Sequence, residues 1–188
     1  MFSSGSTIRH TLFTQLDKSN TEKKLIKDVL DYEQPTKYIV GNVDYQNDSA
    51  LTPVLTANKA FILGYTSENY SIYNKGECII FDDFTMDLKY VDFPFKIKSS
   101  AIKILVPKSG IILKYIYEYL CFLNLTSSDH KRHYISEIEL MEIVLPNYIK
   151  QKQIAVSLSN IDKKIEIESC IYTLLIKHRQ YLMANLFI

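Results

Sequence analysis

No glycine and no proline follows Pro146, and residues 148–188 carry one unbroken helical pattern. In alternating steps of four and three from Ile154, the seam positions are Ile154, Leu158, Ile161, Ile165, Glu168, Tyr172, Leu175, Arg179, Leu182 and Leu186. Eight of these ten are apolar, which marks a long helix with a packing seam. A second stripe, Ile167, Ile171, Leu174 and Tyr181, widens the apolar surface beyond what one two-stranded seam buries. As one helix, Asp162–Phe187 measures roughly 40 Å at 1.5 Å per residue. A helix that long outreaches a domain of this size. The pattern therefore predicts a partner helix, supplied mainly by another chain. Ser159, Asn160 and Asp162 are weak helix formers and predict a bend, with Asn160 or Asp162 as a cap.

Upstream the character is different. Tyr38–Val43, Ala60–Gly64, Glu77–Phe81, Phe95–Lys98 and Ala101–Val106 are short, β-branched or aromatic, and bounded by turn residues, so strands are predicted there. Glu22–Leu30 has a short helical pattern with Thr21 as N-cap, and Ile8–Leu16 reads as an extra helix. Ile111–Leu125 has helical spacing, Ser136–Met141 is helix or turn, and Glu142–Leu145 is a strand. The expected fold is α+β, mostly β with short helices, followed by the long helix. Residues 1–147 form the expected binding domain, with net charge −2; residues 148–188 form an arm, with net charge +3.

Hydrophobic residues at 47% and charged ones at 23% exclude intrinsic disorder. An overall charge of +1 does not by itself announce a nucleic-acid partner. The N-terminus shows no signal-peptide pattern, and no apolar run is long enough to span a membrane. Cys78, Cys121 and Cys170 are odd in number and far apart, so they read as reduced core residues of a cytoplasmic protein.

Known catalytic signatures are missing: no dinucleotide or P-loop glycine pattern, no nucleophile elbow, no kinase set. His130 and His133 have metal-like spacing, but without supporting cysteines they read as a solvated turn, and no metal site is predicted. Asp87-Leu88-Lys89 matches a nuclease fragment too short to carry weight. The adjacent Asp82 and Asp83 look catalytic, but successive strand residues point to opposite faces, so they are assigned to structure. Binding surface remains. Lys89, Lys96, Lys98, Lys103, Lys108 and Lys114, interleaved with Tyr90, Phe93 and Phe95, form a basic and aromatic segment suited to phosphates. Lys131, Arg132 and His133 form a second basic cluster in a polar stretch after a helix.

The stretch Leu145-Pro146-Asn147-Tyr148-Ile149-Lys150-Gln151-Lys152-Gln153-Ile154-Ala155, with Leu158 through Glu166, resembles the conserved helix of type I restriction–modification specificity (S) subunits. The closing Leu182-Met183-Ala184-Asn185-Leu186-Phe187 is also similar to the end of those helices. Asp28 to Tyr38, Ile80 to Thr85 and Phe95 to Ala101 resemble one class of target-recognition domain. The resemblance implies a non-catalytic DNA-reading subunit. Its partners would be double-stranded DNA, modification subunits carrying S-adenosylmethionine, and a restriction subunit using ATP and Mg²⁺. It implies DNA contacts from Lys37, Tyr38, Thr85, Lys89, Lys131, Arg132 and His133. Family members usually hold two recognition domains and two helices, whereas this chain has one of each, the pattern of a half-length form. A homodimer through Ile161, Ile165, Tyr172, Leu175, Leu182 and Leu186 would supply the second helix. The alternatives are a methyltransferase or nuclease fragment with its own activity, and a coiled-coil protein-interaction module.

Overall fold

The computed structural model describes residues 4–16, 20–58, 60–126 and 134–186. The fold is α+β, built around a four-stranded antiparallel sheet. Its strands are β2 (Leu30–Glu33), β5 (Cys78–Asp82), β6 (Leu88–Val91) and β8 (Ile102–Pro107), in the spatial order β2-β8-β5-β6. A three-stranded sheet combines β3 (Thr52–Leu55), β4 (Ile62–Thr66) and β7 (Lys96–Ile97), with β3 and β7 parallel. β1 (Thr21–Leu25) pairs antiparallel with β9 (Glu142–Pro146). The helices are α1 (Ser4–Thr14), the single turn α2 (Ile26–Val29), α3 (Leu113–Leu123) and α4 (Tyr148–Leu186).

Period-two alternation divides the core between the two faces of the central sheet. Ile79, Phe81 and Leu105 face the helices, where they meet Ile26, Leu113, Ile116, Leu120, Ile154 and Leu158. Cys78, Ile80, Val91, Ile102 and Ile104 face the three-stranded sheet and pack on Leu55, Phe95 and Ile97. α1 is fastened by Phe13, whose ring lies 5.2–5.7 Å from Tyr115, Tyr119 and Phe122 of α3. α3 ends on Asn124 in the left-handed conformation (φ 49°), whose N–H donates to the Cys121 carbonyl at 3.3 Å and so satisfies a terminal acceptor.

Several expectations need correction. Glu22–Leu25 is strand, not helix: its backbone groups pair with β9, and helix survives only in the single turn at Ile26–Val29. Thr36–Tyr38 is a 3₁₀ turn where a strand was expected to begin at Tyr38. β2, β3 and β6 were not anticipated, and β4 starts two residues later than read. α4 runs through Ser159–Asp162 without interruption, and the Asp162 carboxylate takes the Lys114 ammonium at 3.2 Å instead of capping a new segment. Cys78 is buried as expected, but Cys121 is half-buried and Cys170 is exposed on α4. Among the described residues no helix is long and apolar enough to cross a membrane.

Candidate nucleic-acid interface

The end of the central sheet where β2 and β5 finish and β6 and β8 begin gathers three turns. Glu33 lies opposite Ile104, Asp82 opposite Ile102, and Phe81 opposite Leu88. The segment after Glu33, the turn through 83–87 and the turn through 98–101 therefore share one end. Tyr134 joins them: its N–H donates to Asp83 Oδ1 at 2.8 Å, while the Asp83 N–H donates to the Ala101 carbonyl at 3.0 Å.

The acidic side chains here are used inward. Asp82 Oδ1 accepts the N–H groups of Phe84 at 2.9 Å and Thr85 at 3.1 Å, which shapes the turn. Asp83 is buried and faces Lys103 Nζ at 3.4 Å, so the two neighbouring carboxylates diverge. The same turn holds Met86 at φ 58°, an unusual conformation for a non-glycine, and Met86 is buried in the core. Facing outward are Gln34, Thr36, Lys37, Thr85, Asp87, Lys98, Ser99 and Ser100, all exposed. That surface offers many hydroxyl, amide and ammonium donors and one carboxylate, on Asp87, which accepts the Thr85 hydroxyl at 2.9 Å.

The residues implied by the resemblance divide accordingly. Lys37 is exposed at this end, and its ammonium reaches Glu33 at 2.9 Å. Glu33 also takes Lys75 at 2.8 Å and the Tyr38 hydroxyl at 2.5 Å. Burial alone would raise the Glu33 carboxyl, but Lys75, Tyr38 and Lys37 more than reverse this and hold it at about 2. Tyr38 itself is only 4% exposed, with its ring against Tyr73, so it is a core residue and not a surface contact. Thr85 is exposed in the β5–β6 turn, and Lys89 sits half-buried on β6. Lys37 follows β2 and Thr85 lies in the β5–β6 turn, so both belong to this end of the sheet. Lys131, Arg132 and His133, like the His130 spacing, lie outside the described residues.

The broad basic segment is corrected too. Lys96 is fully buried: it pairs with Glu68 at 2.7 Å, donates to the Tyr70 carbonyl at 3.0 Å and lies 4.4 Å from the Tyr70 ring centre. Lys96 draws the Glu68 carboxyl down to about 2, helped by the N–H groups of Gly41 and Asn42. Lys103 is buried against Asp83 and Tyr32. A lysine in a strand carries no local sign that a carboxylate elsewhere in the chain will cover it. Lys98, named in the basic segment, is exposed; Gln34, Thr36, Ser99 and Ser100 were not singled out, although they lie in the two stretches that resemble a target-recognition domain.

A second functional surface is α4, which starts beside the opposite end of β8. The Ile112 N–H donates to Gln151 Oε1 at 3.0 Å, and Gln151 Nε2 donates to the Pro146 carbonyl at 2.9 Å. Gln151, Ile154, Ala155 and Leu158 are buried, and Ile161 and Ile165 half-buried. Beyond Ile165 the covering stops: Tyr172, Leu175, Leu182 and Leu186 are exposed, as are Ile167, Ile171, Leu174 and Tyr181. The helix is thus shared, its base folded onto its own domain and its tip uncovered.

Residues 15–175 match the type I restriction modification DNA specificity domain family. Over 137 residues, 70% of this chain, the sequence is 45% identical to the type I restriction enzyme EcoR124I/EcoR124II specificity subunit of Escherichia coli, covering 34% of it. The fold is similar to the S subunit of a type I restriction-modification system from M. genitalium, with TM-score 0.71 and 12% identity over 95% of this chain and 52% of that one. It is also similar to the HsdS subunit from Thermoanaerobacter tengcongensis, with TM-score 0.57 and 14% identity over 87% of this chain and 44% of that one. The chain spans about a third of the curated relative and about half of these solved chains.

Proposed function

The chain belongs to the type I restriction modification DNA specificity family, and from that membership we propose that it reads DNA for an enzyme whose catalytic groups lie on other subunits. The observation that carries this is the convergence of three turns and Tyr134 at one sheet end, with donors outward and most acids tied inward. Lys37 and Lys98 would meet phosphates, which position without specifying. Thr36, Thr85, Ser99 and Ser100 would read base edges, Lys89 would extend the basic rim, and Lys131, Arg132 and His133 would add further DNA contacts.

The uncovered tip of α4 would pair with the same helix of a second copy, giving a two-fold dimer with self-complementary contacts. Two identical domains would then read a palindromic site with a nonspecific spacer. The second stripe, Ile167, Ile171, Leu174 and Tyr181, would take the modification subunits. S-adenosylmethionine, ATP and Mg²⁺ would belong to the partner subunits, and the assembly would act in the cytoplasm, where the DNA is.

Incubation of the chain with DNA, Mg²⁺ and a labelled methyl donor should give no transfer until modification subunits are added. The modified site should then consist of two inverted copies of one half-sequence. Turnover by the chain alone would overturn the reading. So would two unrelated half-sequences in a host with no other specificity subunit. Arg132→Ala should weaken binding by about 1–3 kcal/mol and relax specificity at one position, whereas a phosphate contact would weaken all sequences evenly.

A further inference from the structure

α4 is gripped at two places along its length. The first is Gln151, bonded to Ile112 and Pro146 at the base. The second is Asp162, at the last turns before the helix leaves the domain. There the Lys114 ammonium of α3 lies 3.2 Å from Asp162 Oδ2 and 2.8 Å from Glu118 Oε1. The other Glu118 oxygen takes Arg9 Nε of α1 at 2.6 Å. Tyr117 and Tyr90 flank the ammonium, their ring centres 4.8 and 5.3 Å away. One chain of charges thus links three helices. Its innermost member, Glu118, is fully buried. Burial opposes the charged form of Lys114, but the hydrogen bond and charge of Glu118, then Asp162, outweigh it and raise its pKa.

We infer that this chain of charges is a joint that fixes the angle at which the arm leaves the domain, and that Asp162 and Lys114 thereby set the spacer length the dimer accepts. The inference rests on the dimeric DNA-reading function proposed above. A helix held at one point pivots; held at a second point further along, it keeps one direction. The packed contacts of Ile154, Leu158 and Ile161 hold the helix against its domain, and the bridged ammonium adds a directional contact at their outer end. The lever is long. Residues 166–186 extend about 30 Å beyond the joint, so a tilt of about 10° moves the tip by about 5 Å, more than one 3.4 Å base-pair step. α1, which supplies Arg9, lies wholly outside the region matched to the family. It packs on both α3 and α4, so the brace ties the arm to two helices of the domain at once.

Asp162 is the place to cut. It is the half-exposed outer member, and removing its charge leaves Glu118 paired to both Arg9 and Lys114, so the domain stays folded. Spin labels on native Cys170 and on an Ala50→Cys variant, with Cys121→Ser to remove the half-buried thiol, report the angle between arm and domain. An excess of unlabelled chain keeps each measured distance within one protomer. The parent should give one narrow distance distribution, Asp162→Asn a broad one, and Asp162→Glu a narrow one again. With modification subunits present, methylation of sites with a spacer one base pair longer or shorter should rise several-fold relative to the native spacer in Asp162→Asn. Asp162→Glu should restore the discrimination. Equal widths in parent and Asp162→Asn, or unchanged spacer preference, would overturn the inference. Loss of dimerisation or of all methylation in the parent itself would instead overturn the underlying function, and the distance measurement would still decide on the joint.

Discussion

The base and the tip of α4 have the same heptad spacing and opposite surroundings. At the base, Ile154 and Leu158 are 6% and 2% exposed; toward the tip, Tyr172 and Leu175 are 66% and 61% exposed. Nothing in the spacing changes between them. What changes is the cover: α1, α3 and the central sheet reach the base and end short of the tip. Periodicity in a sequence specifies that a helix has a face to bury. It does not say whose surface buries it. The base of this helix therefore contributes to folding, and on the function proposed above the exposed tip would contribute to assembly.

The sharpest way to break that division is to place a charge on the tip. Each dimer loses two copies of Leu175 in a Leu175→Asp variant, and a buried leucine contributes about 1.5–3 kcal/mol. Self-association should therefore weaken by roughly a hundredfold to ten-thousandfold. Light scattering across a dilution series measures this. The melting of the dilute monomer should match the parent, since surface changes fall within about 0.5 kcal/mol. A monomeric parent, or a Leu175→Asp monomer that melts early, would show that the tip does not serve assembly alone.

The converse change at the base comes next in size. Leu158→Ala removes a side chain packed against α1, α3 and the sheet. Such truncations cost about 2–5 kcal/mol. Denaturant unfolding should show that loss, while the dissociation constant of the folded dimer stays close to the parent's. A large change in dissociation with little loss of stability would merge the two halves into one unit.

The same contrast explains what was legible beforehand. β5, β8, β9, α3 and α4 follow from local pattern: apolar runs bounded by turns, or helical spacing sustained over several turns. β1 was unreadable locally because Glu22, Lys23 and Lys24 suit a solvated helix, and only pairing with β9 makes them a strand. Tyr38 and Lys96 were misplaced for a related reason. Their burial is decided by Tyr73 and Glu68, which approach through the fold and not along the chain at helical or strand spacing. The polar turn residues of the sheet end are ordinary one by one. They become a surface only when the order β2-β8-β5-β6 sets their turns side by side.

Acid sharpens the comparison by acting on the domain. The Glu33 carboxyl lies at about 2 in the folded state against an ordinary 4.5, so its folded pKa is lowered. Its contribution to stability is fully present above pH 4.5 and is lost as the pH falls toward about 2. Glu68, also at about 2, acts in the same window and in the same direction. Denaturant midpoints at pH 6 and pH 3 should therefore differ in the parent and differ less in Glu33→Gln. The proposed dimer contacts of Leu175 and Leu182 carry no titrating group, so self-association of still-folded chains should persist over that range, changed by no more than a few-fold. An acid loss undiminished in Glu33→Gln would assign it to other carboxylates.

The smallest expected effect tests the tip's register. Glu168 sits on the seam and pairs with Lys164 of its own helix at 3.9 Å, both side chains well exposed. An exposed pair of this kind contributes about 0.3–0.5 kcal/mol at most, so Glu168→Ala should leave the monomer's melting nearly unchanged. In an antiparallel two-fold pairing, however, Glu168 of one copy can meet Arg179 of the other, and symmetry makes that contact twice. The dissociation constant would then rise by a few-fold in Glu168→Ala, and the effect would shrink as salt is raised. A double-mutant cycle with Arg179→Ala separates this pairing from a general change in charge. Coupling between the two positions supports the antiparallel register. Strict additivity, at low salt and in a chain shown to be dimeric, would require a different crossing, with Leu175 and Leu182 still buried but the charges apart.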